Sequence, residues 1–249
     1  MEWDLKLPGR YRGISQENRK GRNPFEGLLR AYGLERGNAK ELCEADPLFR
    51  EAVTLAAGRS FLARTSAMNI FMLLKFFAPR LPAGHIVEFG SYLGGSAILM
   101  ARIPQETMPG ARVVGFDTFS GMPATDPSID AHFEGEHPGA DLDALRAYAA
   151  QKNLSNLDFV QGMFEDTAEA ALDALGPVAL VHIDCDIFSS VAFSYDVVKK
   201  YLVPGAYIVF DDPLYGHCLS AFEAVEDRLV QRDRLHAEQV YPHLVFRAL

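Results

Sequence analysis

The stretch at residues 86–96, Ile-Val-Glu-Phe-Gly-Ser-Tyr-Leu-Gly-Gly-Ser, constrains the fold more than any other part of the chain. Apolar residues around one carboxylate, followed by a glycine, a small polar turn and a Gly-Gly pair, read as a buried strand bending tightly into a helix. Such a bend binds a ligand, because glycines admit close backbone approach and a new helix presents free N–H groups. Glu88 adds negative charge at the strand end. The turn therefore suits a cationic or hydroxyl-bearing ligand and repels a phosphate.

From residue 84 onward, short apolar runs alternate with helical stretches, the pattern of a doubly wound, mostly parallel α/β sheet. Strands are expected at 86–90, 112–117, 157–161, 178–184 and 206–211, with helices at 95–103, 141–152, 167–175, 191–201 and 218–232. Two last β-rich segments, 236–241 and 244–249, are parted only by Pro242 and His243, which permits an antiparallel hairpin and forbids a parallel crossover. The expectation is a seven-stranded Rossmann-like sheet ending in that hairpin. Residues 118–140 break the rhythm with a long Pro-, Gly-, Asp- and His-rich connection, read as a lid or as a variable surface loop.

Residues 1–83 are expected to form an N-terminal arm and helical cap, and 84–249 the ligand-binding core. The arm, residues 1–23, carries Lys6, Arg10, Arg12, Arg19, Lys20 and Arg22. Its composition favours loose order, as solvated surface or folded over the site or a partner subunit. Helical stretches follow at 24–35, at 39–58 with a break at Pro47, and at 60–77. Residues 70–77 are apolar enough to bury within one subunit or across a homodimer. With 249 residues, 49% of them apolar, the chain can bury one large core.

A net charge of −9, from 24 basic and 33 acidic residues, argues against a nucleic-acid partner. The opening residues lack the pattern of a secretory signal, and no apolar run reaches the roughly 18 residues of a membrane span. Cys43, Cys185 and Cys218 are odd in number and lack a CxxC spacing. They indicate neither a disulfide framework nor a zinc site, and point to a reducing cytoplasm.

In an open parallel sheet, ligands bind beyond the carboxyl ends of the strands. The expected strand ends here carry Glu88, Asp117, Gly162 with Met163 and Phe164, Asp184 with Asp186, and Asp211 with Asp212. Asp117 is placed to accept hydrogen bonds from ribose hydroxyls. That position suits a dinucleotide too, but Tyr92 stands where a pyrophosphate loop needs its second glycine, so a nucleoside without phosphates fits better than NAD. Asp184, Asp211 and Asp212 end two neighbouring strands, and three carboxylates sharing a pocket suit Mg²⁺ or a similar hard cation. The alternative is that Asp212 and Asp186 serve as turn or capping residues. His182 is expected as a core or supporting histidine, Cys185 as packing, and His217 as a helper acid, base or acceptor contact.

The stretches Val-Glu-Phe-Gly-Ser-Tyr-Leu-Gly-Gly-Ser (87–96), Gly-Phe-Asp-Thr-Phe-Ser-Gly-Met-Pro (115–123), Phe-Val-Gln-Gly-Met-Phe-Glu-Asp-Thr (159–167), His-Ile-Asp-Cys-Asp-Ile-Phe-Ser-Ser (182–190) and Val-Pro-Gly-Ala-Tyr-Ile-Val-Phe-Asp-Asp (203–212) carry a resemblance. Together they resemble class I S-adenosylmethionine-dependent methyltransferases, and within them the macrocin O-methyltransferase family of sugar-modifying enzymes. The resemblance implies that Glu88, Gly90 and Ser91 hold the methionine part of the cofactor, Asp117 its ribose, and Gly162, Met163 and Phe164 its adenine. Ser96, Thr118 and Asp184 join this cofactor set. It places Mg²⁺ on Asp184, Asp211 and Asp212, with Asp184, or Asp186 beside it, as the base. The implied reaction is O-methylation of a sugar or vicinal-diol hydroxyl on a small-molecule or glycan acceptor. The rivals are a nicotinamide oxidoreductase and a cofactor-binding module without catalysis.

Overall fold

The computed structural model describes Trp3, Leu5, Lys20 and residues 22–249. Most of the basic arm, and with it the expectation of loose order, lies outside the described residues. Asn23 caps the first helix, α1 (Pro24–Glu35), by accepting from the N–H groups of Phe25 and Glu26. The break expected at Pro47 separates α2 (Ala39–Ala45) from α3 (Pro47–Ala56), with Asp46 capping the latter. Then α4 (Arg64–Met72) runs on as a π-helical turn, Leu73–Phe77.

The sheet has six strands in the order β3-β2-β1-β4-β5-β6. They are β1 (His85–Phe89), β2 (Val113–Asp117), β3 (Leu157–Gln161), β4 (Val178–Ile183), β5 (Leu202–Phe210) and β6 (Leu244–Arg247). The first five are parallel, and β6 returns antiparallel against β5. After β1 the chain winds outward to β2 and β3, then crosses back to place β4 on the other side of β1. That reversal opens a crevice at the carboxyl ends of β1 and β4. The helices between strands are α5 (Gly95–Arg102), α6 (Pro104–Thr107), α7 (Leu142–Gln151), α8 (Phe164–Leu175) and α9 (Phe188–Val198). Between β5 and β6 lies α10 (Leu219–Val225), which continues as a π-helix over Glu226–Arg232.

The expected seventh strand, residues 236–241, is corrected to a single bridge between Gln239 and Val245. Glu238 and Gln239 both donate their N–H to the Val245 carbonyl, at 2.7 and 3.3 Å, so the ladder cannot advance. Their side chains turn inward instead, where the fully buried Arg30 of α1 meets Glu238 Oε1 at 2.5 Å and Gln239 Oε1 at 2.7 Å. Pairing of this segment is traded for a buried ion pair.

Period-two alternation sends Ile86 and Leu180 to one face of the sheet, and Val87, Phe89, Val181 and Ile183 to the other. The first face shares one continuous apolar cluster with α1–α5, including Phe49, Ile70 and Leu73. The second packs against α8, α9 and α10. Ile70, Phe71, Met72, Leu73 and Leu74 are fully buried within the chain, and Phe76 partly so. All three cysteines are free and buried. Among the described residues, no helix is long and apolar enough to cross a membrane.

Candidate active site

The crevice at the switch point opens into a cavity of about 410 Å³, a size ordinary for small-molecule sites. Each parallel strand contributes to its wall from its carboxyl end. Gly90, Ser91, Tyr92 and Ser96 come after β1, Asp117 and Thr118 from β2, and Met163 and Phe164 after β3. Asp184 and Asp186 follow β4, and Asp211, Asp212 and His217 follow β5.

The first turn is pressed hard against the end of β4. Gly90 has φ +88°, and a Cβ there would lie 1.7 Å from the Asp184 carbonyl oxygen. Only glycine fits. Tyr92 also takes a positive φ, +48°, and its N–H donates to Asp117 Oδ2 at 2.8 Å. The Phe119 N–H donates to Asp117 Oδ1 at 2.7 Å. A carboxylate has about four acceptor positions, so both oxygens retain capacity for ribose hydroxyls. Burial pushes the Asp117 carboxyl above its ordinary value, against these hydrogen bonds.

Glu88 and Gly162 are placed differently from the other members of the expected cofactor set. Glu88 is fully buried beneath the turn, where Ser91 Oγ donates to it at 2.7 Å and His182 Nδ1 lies 3.0 Å away. Its carboxylate orients Ser91 and His182 from below. Gly162, at φ +137°, shapes the turn that delivers Met163 and Phe164 to the wall.

Neighbouring β4 and β5 bring Asp184, Asp211 and Asp212 together, with one oxygen of each within 4.8 Å of the others. Asp212 also holds the turn after β4: its Oδ2 accepts from the Cys185 and Asp186 N–H groups, both at 2.8 Å. Burial, then the charges of the other aspartates, pushes the Asp184 and Asp212 carboxyls well above the usual range. Burial acts on Asp211 too, but the His243 and His182 imidazoles outweigh it and hold that carboxyl low. Asp211 Oδ1 is buried without a hydrogen bond, although His243 Nε2 stands 2.9 Å away, off the angle a hydrogen bond requires. Crowded carboxylates with an orphaned oxygen fit a hard divalent cation. His182 lies fully buried in β4, with Nδ1 3.0 Å from Glu88 Oε1.

Other wall residues gave no signal in the sequence. Arg59, Ser60, Phe61 and Leu62, between α3 and α4, close one side, and Phe61 stacks on Tyr92 with ring centroids 5.4 Å apart. Residues 118–140 supply Met122, His132 and His137. That segment is pinned at its base by Met122 N–H to the Glu136 carbonyl at 2.7 Å, and Asp130 Oδ1 accepts from Phe188 N–H at the start of α9. Cys218 lines the cavity as well.

Comparison with known proteins bears on this geometry. Residues 77–236 match the family model described as Macrocin-O-methyltransferase (TylF). A Streptomyces olivaceus protein, 8-demethyl-8-(2,3-dimethoxy-alpha-L-rhamnosyl)-tetracenomycin-C 4'-O-methyltransferase, is 30% identical over 151 residues, spanning 55% of this chain and 56% of that relative. The alignment thus spans just over half of the relative's length. Among solved structures, a calicheamicin methyltransferase superposes with a TM-score of 0.65 at 19% identity, covering 84% of this chain and 90% of its own. The O-methyltransferase NovP superposes at 0.60 with 21% identity, covering 73% of this chain and 78% of its own. At such identities the structures speak for the fold, a Rossmann-like methyltransferase fold.

Proposed function

We propose that this chain, which belongs to the macrocin-O-methyltransferase family, methylates a hydroxyl on a sugar carried by a secondary metabolite, with S-adenosylmethionine as methyl donor. The observation that carries this reading is one cavity holding both a nucleoside seat at Asp117 and the cluster of Asp184, Asp211 and Asp212. The named activity of the tetracenomycin relative, whose printed name carries a rhamnosyl group, supports a sugar-bearing acceptor.

In this reading Gly90, Ser91 and Ser96 receive the methionine part, Asp117 and Thr118 the ribose, and Met163 and Phe164 the adenine. Glu88 acts from beneath by fixing Ser91. When bound, S-adenosylmethionine supplies an electrophilic methyl group, and Mg²⁺ on the three aspartates supplies the Lewis acidity that lowers a hydroxyl pKa. Asp184 takes the hydroxyl proton, with Asp186 as the alternative and His217 at the rim beside the acceptor. Holding both reactants aligned in one cavity contributes much of the acceleration, an effect that reaches about 7–11 kcal/mol in favourable systems.

Transfer of labelled methyl from S-adenosylmethionine to a panel of deoxysugar-bearing acceptors tests the reading, with and without EDTA and in Asp184→Asn. Transfer that EDTA and Asp184→Asn both abolish is expected. Full activity in EDTA removes the metal, and calorimetric binding of NAD but not S-adenosylhomocysteine removes the methyl-transfer reading itself.

A further inference from the structure

Beside the acidic triad, three donor atoms from three separate segments converge on the wall built by residues 118–140. Cys218 Sγ lies 3.5 Å from His132 Nε2 and 3.4 Å from Asp186 Oδ1, and those two atoms are 3.6 Å apart. Zinc bonds sulfur at about 2.3 Å and nitrogen or oxygen at about 2.0–2.2 Å, so a tetrahedral ion spaces its donors by about 3.3–3.6 Å. The triangle has the dimensions of one face of such a tetrahedron.

Glu136 Oε2 lies 3.0 Å from His132 Nδ1, and a carboxylate only accepts, so the Nδ1 position facing it carries a proton. Asp186 Oδ1 also only accepts, and Cys218 has a single hydrogen to offer. A cation at its centre satisfies all three donors, and a carboxylate behind the imidazole is the partner that orients metal-bound histidines. His217 brings a further donor atom within 4.8 Å of those of His132 and Cys218, from an exposed position on the rim.

We propose that His132, Asp186 and Cys218, with His217 closing the fourth position, form a second metal site that takes a zinc-class divalent ion. The mixed nitrogen, oxygen and sulfur set selects a softer ion than the all-oxygen triad does. On coordination the Cys218 thiol proton passes to solvent as the sulfur–metal bond forms. The ion ties residues 118–140 to the turn after β4 and to the connection after β5, fixing one wall of the cavity. The proposal does not depend on the methyl-transfer reading.

Titrating the purified full chain with Co²⁺, a spectroscopic stand-in for Zn²⁺, tests it. A thiolate-to-cobalt charge-transfer band saturating at one equivalent is expected, displaced by Zn²⁺ and absent in Cys218→Ser. Glu136→Gln, on a partly exposed side chain, should weaken cobalt binding about 10-fold or more, and Asp211→Asn should leave the band intact, separating this site from the triad. No charge-transfer band in the wild-type chain, or a band that survives Cys218→Ser, overturns the proposal and leaves an ordinary imidazolium–carboxylate contact.

Discussion

His243 Nε2 stands 2.9 Å from Asp211 Oδ1, and two amides decide which proton it carries. Gln239 Nε2 donates to Asn69 Oδ1 at 2.7 Å, which turns the Asn69 amide nitrogen toward His243 Nδ1 at 3.0 Å. Nδ1 therefore accepts, and the proton sits on Nε2, facing the carboxylate. Burial pushes the His243 pKa below its ordinary value, against the Asp211 carboxylate beside it. Asp211 alone among the three aspartates is held low, against burial, by His243 first and then by His182 and Ser66.

Replacing His243 with Phe keeps the ring and removes both contacts. The Asn69 amide then loses its partner in a buried place, a loss of about 1–3 kcal/mol. Calorimetric titration with Mg²⁺ should show affinity reduced about 10-fold or more, and urea unfolding should show the stability loss. Unchanged values in both would mean that His243 supports neither the core nor the triad.

Gly90 and Gly110 separate backbone strain from collision. Both have positive φ, +88° and +84°, but a Cβ at Gly110 meets nothing within 4 Å while one at Gly90 lies 1.7 Å from the Asp184 carbonyl. Gly110→Ala should cost about 1–2 kcal/mol. Gly90→Ala should cost about 3–4 kcal/mol, at the upper end for single substitutions, and should also abolish S-adenosylhomocysteine binding. Equal costs in parallel urea melts would show that the contact between the two strand ends relaxes freely.

The ion pair of Arg30 and Glu238, 2.5 Å long with both side chains fully buried, holds α1 against the segment that failed to become a strand. Arg30→Met removes one of the two cations on buried Glu238, whose Oε2 keeps Arg247 at 3.4 Å, and should destabilise by about 3 kcal/mol, the low end for a broken buried pair. Adding Glu238→Gln should recover part of that loss, because the undercompensated charge is gone. A double-mutant cycle reads the coupling directly, and strictly additive costs would contradict it.

Asp233 gives a pH-dependent term far from the cavity. Arg232 beside it, with Tyr195 and Lys199, lowers its carboxyl from 3.8 to about 2, against burial. A folded value below the unfolded one stabilises above pH 4, and that stabilisation fades as pH falls towards 2. Solvent screening limits it to about 1 kcal/mol. The stability difference between wild type and Asp233→Asn should be constant from pH 7 to about pH 5 and shrink below about pH 4. A difference that grows in acid would reverse the assignment.

Five parallel strands, their order along the chain and the carboxylates at their ends were legible in the sequence, because a strand buried on both faces must be a short apolar run. The Gly90 turn was legible for the same local reason: φ and close approach leave no other residue. What the sequence could not supply is anything set by which segments become neighbours. Its pattern predicted a strand at 236–241, but Arg30, more than two hundred residues earlier, draws Glu238 and Gln239 away from the ladder. Glu88 read as a ligand contact, and the register of β1 against β4 adds a neighbour the sequence could not show, His182 at 3.0 Å. Cysteine spacing gave no sign of a mixed metal set, because His132, Asp186 and Cys218 lie on three segments that only the crossover topology joins. Local chemistry is written in short-range pattern; distances between remote side chains exist only once the sheet order and helix packing have closed the chain on itself.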